Sequence, residues 1–375
     1  MKKFLALVTV LLFAMLTIAG CGGGSTEKAA TPEQPKTQEV QKTKVAFIYI
    51  GTVGDAGWTK AHDDGVKILE KDVPNIEVTR VESVPEGADA ERILEDLVQK
   101  GNKIIFATSF GYMDPVIKVA AKHPDVIFLH CSGYKVAANV GTYFGRDYQA
   151  RYMAGIVAGK ATKNGSIGYV AAMPIPEVIR GINGFTMGVR SVNPKAKVKV
   201  VWTNTWLDPA KEKDAGKSLL QQGVDVVAQH QDTPGPVQAA GEAGKFALGY
   251  NTDMRSFAPN AVLTGPVWNW GPYYVNTVKA VIDGTWKSEQ YWGGVADGII
   301  DLGPYGPMVT EETQKLVAAK KQEIIDGKLE VFAGPLKDNK GKEMVPAGKA
   351  MTDQEMLNFG WFVEGVNGTI PAASK

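Results

Sequence analysis

Three glycines spaced three apart, Gly51, Gly54 and Gly57, follow an apolar run and lead into Trp58, in the stretch KVAFIYIGTVGDAGW at residues 44–58. A glycine turn between a strand and a helix often cradles phosphate, but neither GxxxxGK[ST] nor GxGxxG occurs here. Small residues also let the chain turn tightly and let a ligand come close. The indole that follows offers a flat face to a planar ligand such as a purine, with stacking worth ~1–3 kcal/mol per base in nucleic-acid systems. An indole packed inward at the start of its helix fits the same position. Trp206, Trp268 and Trp270 favour the binding reading, because they add indoles at or near loops, where tryptophan is costly unless used.

Other chemistry finds little support. His62, His123, His130 and His230 are scattered, without metal-ligand spacing. No GxSxG elbow carries a serine nucleophile, and neither Ser109 nor Ser132 has an evident paired base. A nucleoside hydrolase needs clustered aspartates on calcium near its first strand, and this stretch has Asp55 alone. The expectation is a binding protein, with no metal, no cofactor and no catalytic residue. The 41 Lys and Arg nearly balance the 40 Asp and Glu without a basic stripe, so nucleic acid is not an expected partner.

Elements that position these residues are legible as alternation. Strand-like runs KVAFIYI, IEVTRVESV, KIIFATS and DVIFLHCSG are separated by helical patterns, which predicts a parallel sheet covered on both faces. After NVGTYFG and a helix, the order restarts with GSIGYVAAM, KVKVVWTNTW, DVVAQHQ and KFALGYN. Two similar α/β lobes follow, then helices near 272–284 and 310–327 and a hairpin at 331–348 turning at 338–341. Ligands of open parallel sheets bind beyond the carboxyl ends of the strands. Just past the strands lie Asp55, Trp58, Ser109, Phe110 and Ser132 in the first winding, and Met173, Trp206, His230, Asp232, Asn251 and Asp253 in the second. Facing lobes would bring them to one cleft.

The N-terminal end adds an address. Lys2 and Lys3 precede an apolar run at 4–18, too short to span a membrane. It closes on Ile18-Ala19-Gly20-Cys21, which resembles the bacterial lipobox. That resemblance implies a signal peptide at 1–20 and a lipid, palmitate included, on Cys21. Residues 21–43 are poor in aromatic and aliphatic side chains and read as a disordered tether. Cys131 is then left without a disulfide partner and reads as a buried strand-end cysteine.

The lipobox, the tether, the opening GTVGDAGWTKAHDDG and the ending GPLKDNKGKEMVPAGKAMTDQEMLNFGWFVEGV together resemble the basic membrane protein family of purine-nucleoside-receptor-like bacterial lipoproteins. The resemblance covers nearly all of 44–367. It implies a type I periplasmic-binding-protein fold, two Rossmann-like lobes joined by hinge crossovers, with 44–145 plus about 268–300 as lobe 1 and about 146–267 plus 301–367 as lobe 2. It implies a solute receptor on the extracytoplasmic face of the cell membrane, handing a purine base or nucleoside to an ABC permease and its ATPase. At the matching positions, the resemblance makes Asp55 and Trp58 the acidic residue and the base-stacking ring. Asp253, in GYNTDM, matches a residue that helps hold the ribose. Trp268, in GPVWNWG, stands where nucleoside binders carry lysine, which points to a free base such as adenine, with Asp232 accepting from an exocyclic amine. A receptor for another small solute and a nucleoside-acting surface enzyme are the alternatives.

Overall fold

The computed structural model describes residues 42–372. Cys21, the signal peptide and nearly all of the tether lie outside the described residues.

Each apolar run read from the sequence is a strand, trimmed at its ends. The first winding contains β1 (Thr43–Ile48), β2 (Ile76–Val81), β3 (Ile104–Ala107), β4 (Ile127–Cys131) and β5 (Val140–Gly145). The second contains β6 (Ser166–Ala171), β7 (Lys197–Trp202), β8 (Val226–His230), β9 (Phe246–Leu248) and β10 (Val262–Thr264). Three short strands follow, β11 (Pro266–Trp268), β12 (Gln290–Gly293) and β13 (Ile300–Leu302). β14 (Leu336–Lys337) and β15 (Glu343–Val345) form the hairpin, and β16 (Val366–Asn367) is the last strand described.

The strands assemble into two six-stranded sheets, ordered β12-β5-β4-β3-β1-β2 and β10-β9-β8-β6-β7-β16. Every neighbouring pair in both sheets is parallel. Parallel strands need crossovers, and helices supply them. Those of the first winding are α1 (Trp58–Asp72), α2 (Ala88–Gln99) and α3 (Met113–Ala120). α4 (Asp147–Ala161) carries the chain to the second sheet, where α5 (Pro176–Val192), α6 (Pro209–Gln221) and α7 (Gly235–Glu242) repeat the pattern. α8 (Gly271–Ile282) leads back to β12 at the edge of the first sheet. α9 (Glu311–Ile325) and α10 (Asp353–Leu357) precede the return to β16. The chain therefore passes between the sheets three times. β12 and β16 are short edge strands without an apolar run of their own.

Apolar faces explain the helix positions. Trp58, Ala61, Gly65 and Leu69 fall on one side of α1 and are buried. α4 and α5 meet backbone to backbone: a methyl at Gly188 would lie 1.9 Å from the Tyr152 carbonyl oxygen. One apolar core joins the halves, running from Phe47 and Phe106, stacked at 4.5 Å, to Trp270 and Tyr274 and on into the second winding.

Candidate functional site

Both sheets reverse strand order once, between β1 and β3 and between β6 and β8. Ligands of open parallel sheets lie beyond the strand ends at such switch points. The ends of these four strands and the segments that follow them carry Trp58, Ser109, Phe110, Glu177, His230 and Asp232, and all six line one cavity. Its empty space, open solvent included, is ≈ 320 Å³. Four aromatic side chains wall it, Trp58, Phe110, Trp206 and Tyr250, with Ile50 and Ser132 completing the lining. No lysine or arginine is among the lining residues.

Trp58 is held from three sides. Asp55 accepts hydrogen bonds from the amides of Gly57, Thr59 and Lys60, at 2.8, 2.7 and 3.0 Å, and so fixes the start of α1. Burial raises the pKa of Asp55, and the same three amides oppose the shift. The indole Nε1 donates to the Thr108 carbonyl oxygen at 2.6 Å. His62, Trp268 and Trp270 pack edge-on around the ring, with centroids 4.4, 6.2 and 5.9 Å away. Trp58 is 8% exposed and is both a cavity wall and a core residue.

The loop after β3 is fixed by Glu86. It accepts from the Ser109 hydroxyl at 2.6 Å and from the Gly111 amide at 3.0 Å. His130 Nε2 and the Ser109 carbonyl oxygen lie 2.8 Å apart. Burial pushes the His130 pKa down to about 4, so its imidazole is neutral at pH 7 and Nε2–H donates.

From the second sheet come two carboxylates. Glu177, at the start of α5, accepts from the Ser132 hydroxyl of the first sheet. His230 Nε2 stands 3.5 Å from its other oxygen. Burial raises the pKa of Glu177, against the Ser132 hydrogen bond and the charges of Arg180 and Arg151. Asp232 is 5% exposed, and its carboxylate has no hydrogen-bond donor among the described residues. Burial holds its pKa well above the usual range, and the negative charges of Asp55, Glu212, Glu177 and Glu86 add to the shift. Glu212 positions the Asp232 loop by accepting from the Thr233 amide and hydroxyl. Behind Tyr250, the Arg151 guanidinium lies 3.7 Å from the ring centroid, a cation–π contact.

Of the residues expected at the site, Trp58, Ser109, Phe110, Trp206 and Asp232 meet at the cavity. Asp55 supports it from the α1 turn. Asp253 does not reach the lining: it is exposed and ion-pairs with Arg255 at 2.7 Å. Met173, half-buried after β6, is also outside it. Trp268 stands behind the wall, stacked on Trp270 at 4.4 Å, with Nε1 donating to Asn251 Oδ1 at 3.0 Å. Glu177 and Tyr250 are lining residues that pattern reading missed. Their signal was only their place after β6 and β9.

Set beside known proteins, residues 42–333 match the family model described as ABC transporter substrate-binding protein PnrA-like. A purine-binding protein of Brucella abortus is 46% identical over 332 residues, covering 88% of this chain and 95% of its own. A protein of Haloferax volcanii named a putative ABC transporter glucose-binding protein is 39% identical over 350 residues, covering 93% of this chain and 87% of its own. Among solved structures, an ABC transporter solute-binding protein from Aeropyrum pernix superposes with a TM-score of 0.67 at 20% identity, over 79% of this chain and 93% of that one. That likeness is one of fold: two parallel-sheet α/β domains of the periplasmic-binding-protein type. No helix among the described residues is long and apolar enough to cross a membrane.

Proposed function

The chain belongs to the PnrA-like family of ABC transporter substrate-binding proteins, and from that premise we propose that it captures a purine, as the free base in preference to the nucleoside, and delivers it to an ABC importer from a lipid anchor on Cys21. The observation that carries the ligand class is the lining itself: four aromatic side chains and two buried carboxylates, without a cationic side chain. Flat faces suit a planar heterocycle. Carboxylates accept from the N–H groups at a purine's edge. A phosphate would meet negative charge and no counter-charge, so nucleotides do not fit.

Two features favour the free base. Glu177 and Asp232 follow different strands, so two acceptors face the ligand. A free base carries donors on both its exocyclic and its imidazole edge, whereas a nucleoside has lost the N9–H. The enclosed space between the lining side chains is also small. Trp268 bears on this preference through the wall it braces, not by contact with a ribose.

A hexose, the ligand named for the Haloferax relative, fits the lining less well. Its ring hydroxyls need many partners, and the hydroxyls of Ser109 and Ser132 already donate to Glu86 and Glu177. Mass spectrometry of the small molecules released on denaturing freshly purified protein tests the reading. A purine base is expected. A hexose in its place would overturn it.

A further inference from the structure

We propose that the contacts of Ala56 with Thr252 and of Gly57 with Asp232 form a latch that limits the size of ligand the closed cavity accepts. Thr252 and Gly57 are then specificity-determining residues, although neither lines the cavity. The inference rests on the purine reading above for its ligands.

Two loops of opposite sheets meet here. The Thr252 hydroxyl, on the loop after β9, donates to the Ala56 carbonyl oxygen, on the loop after β1. One residue on, Gly57 lies against the main chain of Asp232. A methyl at Gly57 would stand 2.1 Å from the Asp232 carbonyl oxygen and 2.8 Å from its carbon. Any side chain there forces the loops apart. The flanking residues Ala56 and Asn251 hold left-handed conformations, with φ of +65° and +72°. Non-glycine residues keep such angles only where their surroundings impose them.

Sheet order shows what the latch does. β1 is separated from β4 by β3, whose loop carries Ser109 and Phe110 into the cavity. The latch closes one side, from the β1 loop to the β8 and β9 loops. On the other side, Ser132 after β4 donates to Glu177 after β6. Ser132 is also left-handed, with φ of +71°. The cavity is thus bracketed by bonds that protein makes to protein, so its width does not depend on the ligand bridging it. A ligand that fills it leaves both brackets closed. A ligand carrying an added ribose must hold one apart and forgo its contacts. Size selection then comes from contacts that the larger ligand never touches.

Titration of adenine and adenosine into wild type, Thr252→Val and Thr252→Ser tests this, with the weaker constant read by competition. Thr252→Val should tighten adenosine about threefold to tenfold, the one net hydrogen bond it no longer has to forgo, and leave adenine within about twofold. Thr252→Ser, which keeps the hydroxyl, should restore the wild-type discrimination. Parallel changes for both ligands, or no gain for adenosine, would overturn the latch. Wild type binding neither ligand would sink the purine reading instead. The latch is then decided by small-angle scattering of ligand-free protein. Gly57→Ala should enlarge the radius of gyration, and an unchanged radius would refute it.

Discussion

Replacing Trp58 by alanine removes a cavity wall and a core side chain together, so it should be measured on two axes. The indole is 8% exposed, with three rings packed edge-on around it and its N–H on Thr108. Truncating a buried tryptophan costs about 3–5 kcal/mol of stability, against a usual total of about 5–15. Loss of one stacking platform costs about 1–3 kcal/mol of binding, roughly five- to 160-fold in dissociation constant. Trp58→Phe separates the two. It keeps a ring face, loses the hydrogen bond to Thr108, and should hold adenine within about tenfold of wild type. Titration calorimetry with adenine, paired with urea unfolding of the ligand-free variants, reads both axes. A folded Trp58→Ala chain with unchanged adenine affinity would refute stacking. Unchanged unfolding would refute the packing seen around the ring.

Asp232→Asn should raise the ligand-free melting temperature at neutral pH while weakening adenine about tenfold or more, since the carboxyl group that accepts from the ligand is lost. The sign follows from its raised pKa: an acid of this kind favours folding at low pH, and that contribution is lost as pH climbs through the folded pKa, so the benefit of the amide grows with pH. A variant that melts lower than wild type at pH 7 would contradict this. His62, His130 and His230 have pKa values lowered mainly by burial, so the stability they support is present above about pH 6.5 and lost as pH falls. His130 alone, down to about 4, should contribute about 3 kcal/mol across that window, and urea midpoints that stay level from pH 7 to 4.5 would be inconsistent with three neutral buried imidazoles. Cys21→Ala should leave the folded domains intact and release the chain from the membrane fraction; retention there through salt washes would contradict the anchor.

Parallel sheets are unusually readable because their strands are buried on both faces and appear as apolar runs, so β1 to β9 were visible and the doubled α/β order with them. β12 and β16 were not, because a short edge strand needs a neighbour more than it needs a pattern. At the site, Trp58, Ser109, Phe110, Trp206 and Asp232 were accessible from strand-end position alone. Glu177 escaped because an acidic residue at a helix start is ordinarily explained by the helix dipole. Tyr250 looked like the end of an apolar run. Asp253 and Trp268 were placed by resemblance, and neither lines the cavity: Arg255 pairs with the carboxylate, while Trp270 and Asn251 hold the indole. Which loops touch across the cleft is set by the meeting of two sheets, and no spacing within one stretch encodes it.

Calorimetric titration of ligand-stripped protein with adenine, adenosine and glucose in turn tests the central claim most directly. The account predicts one site per chain, with adenine bound most tightly, adenosine more weakly and glucose giving no saturable heat. Saturable binding of glucose, or no binding of either purine, would contradict it.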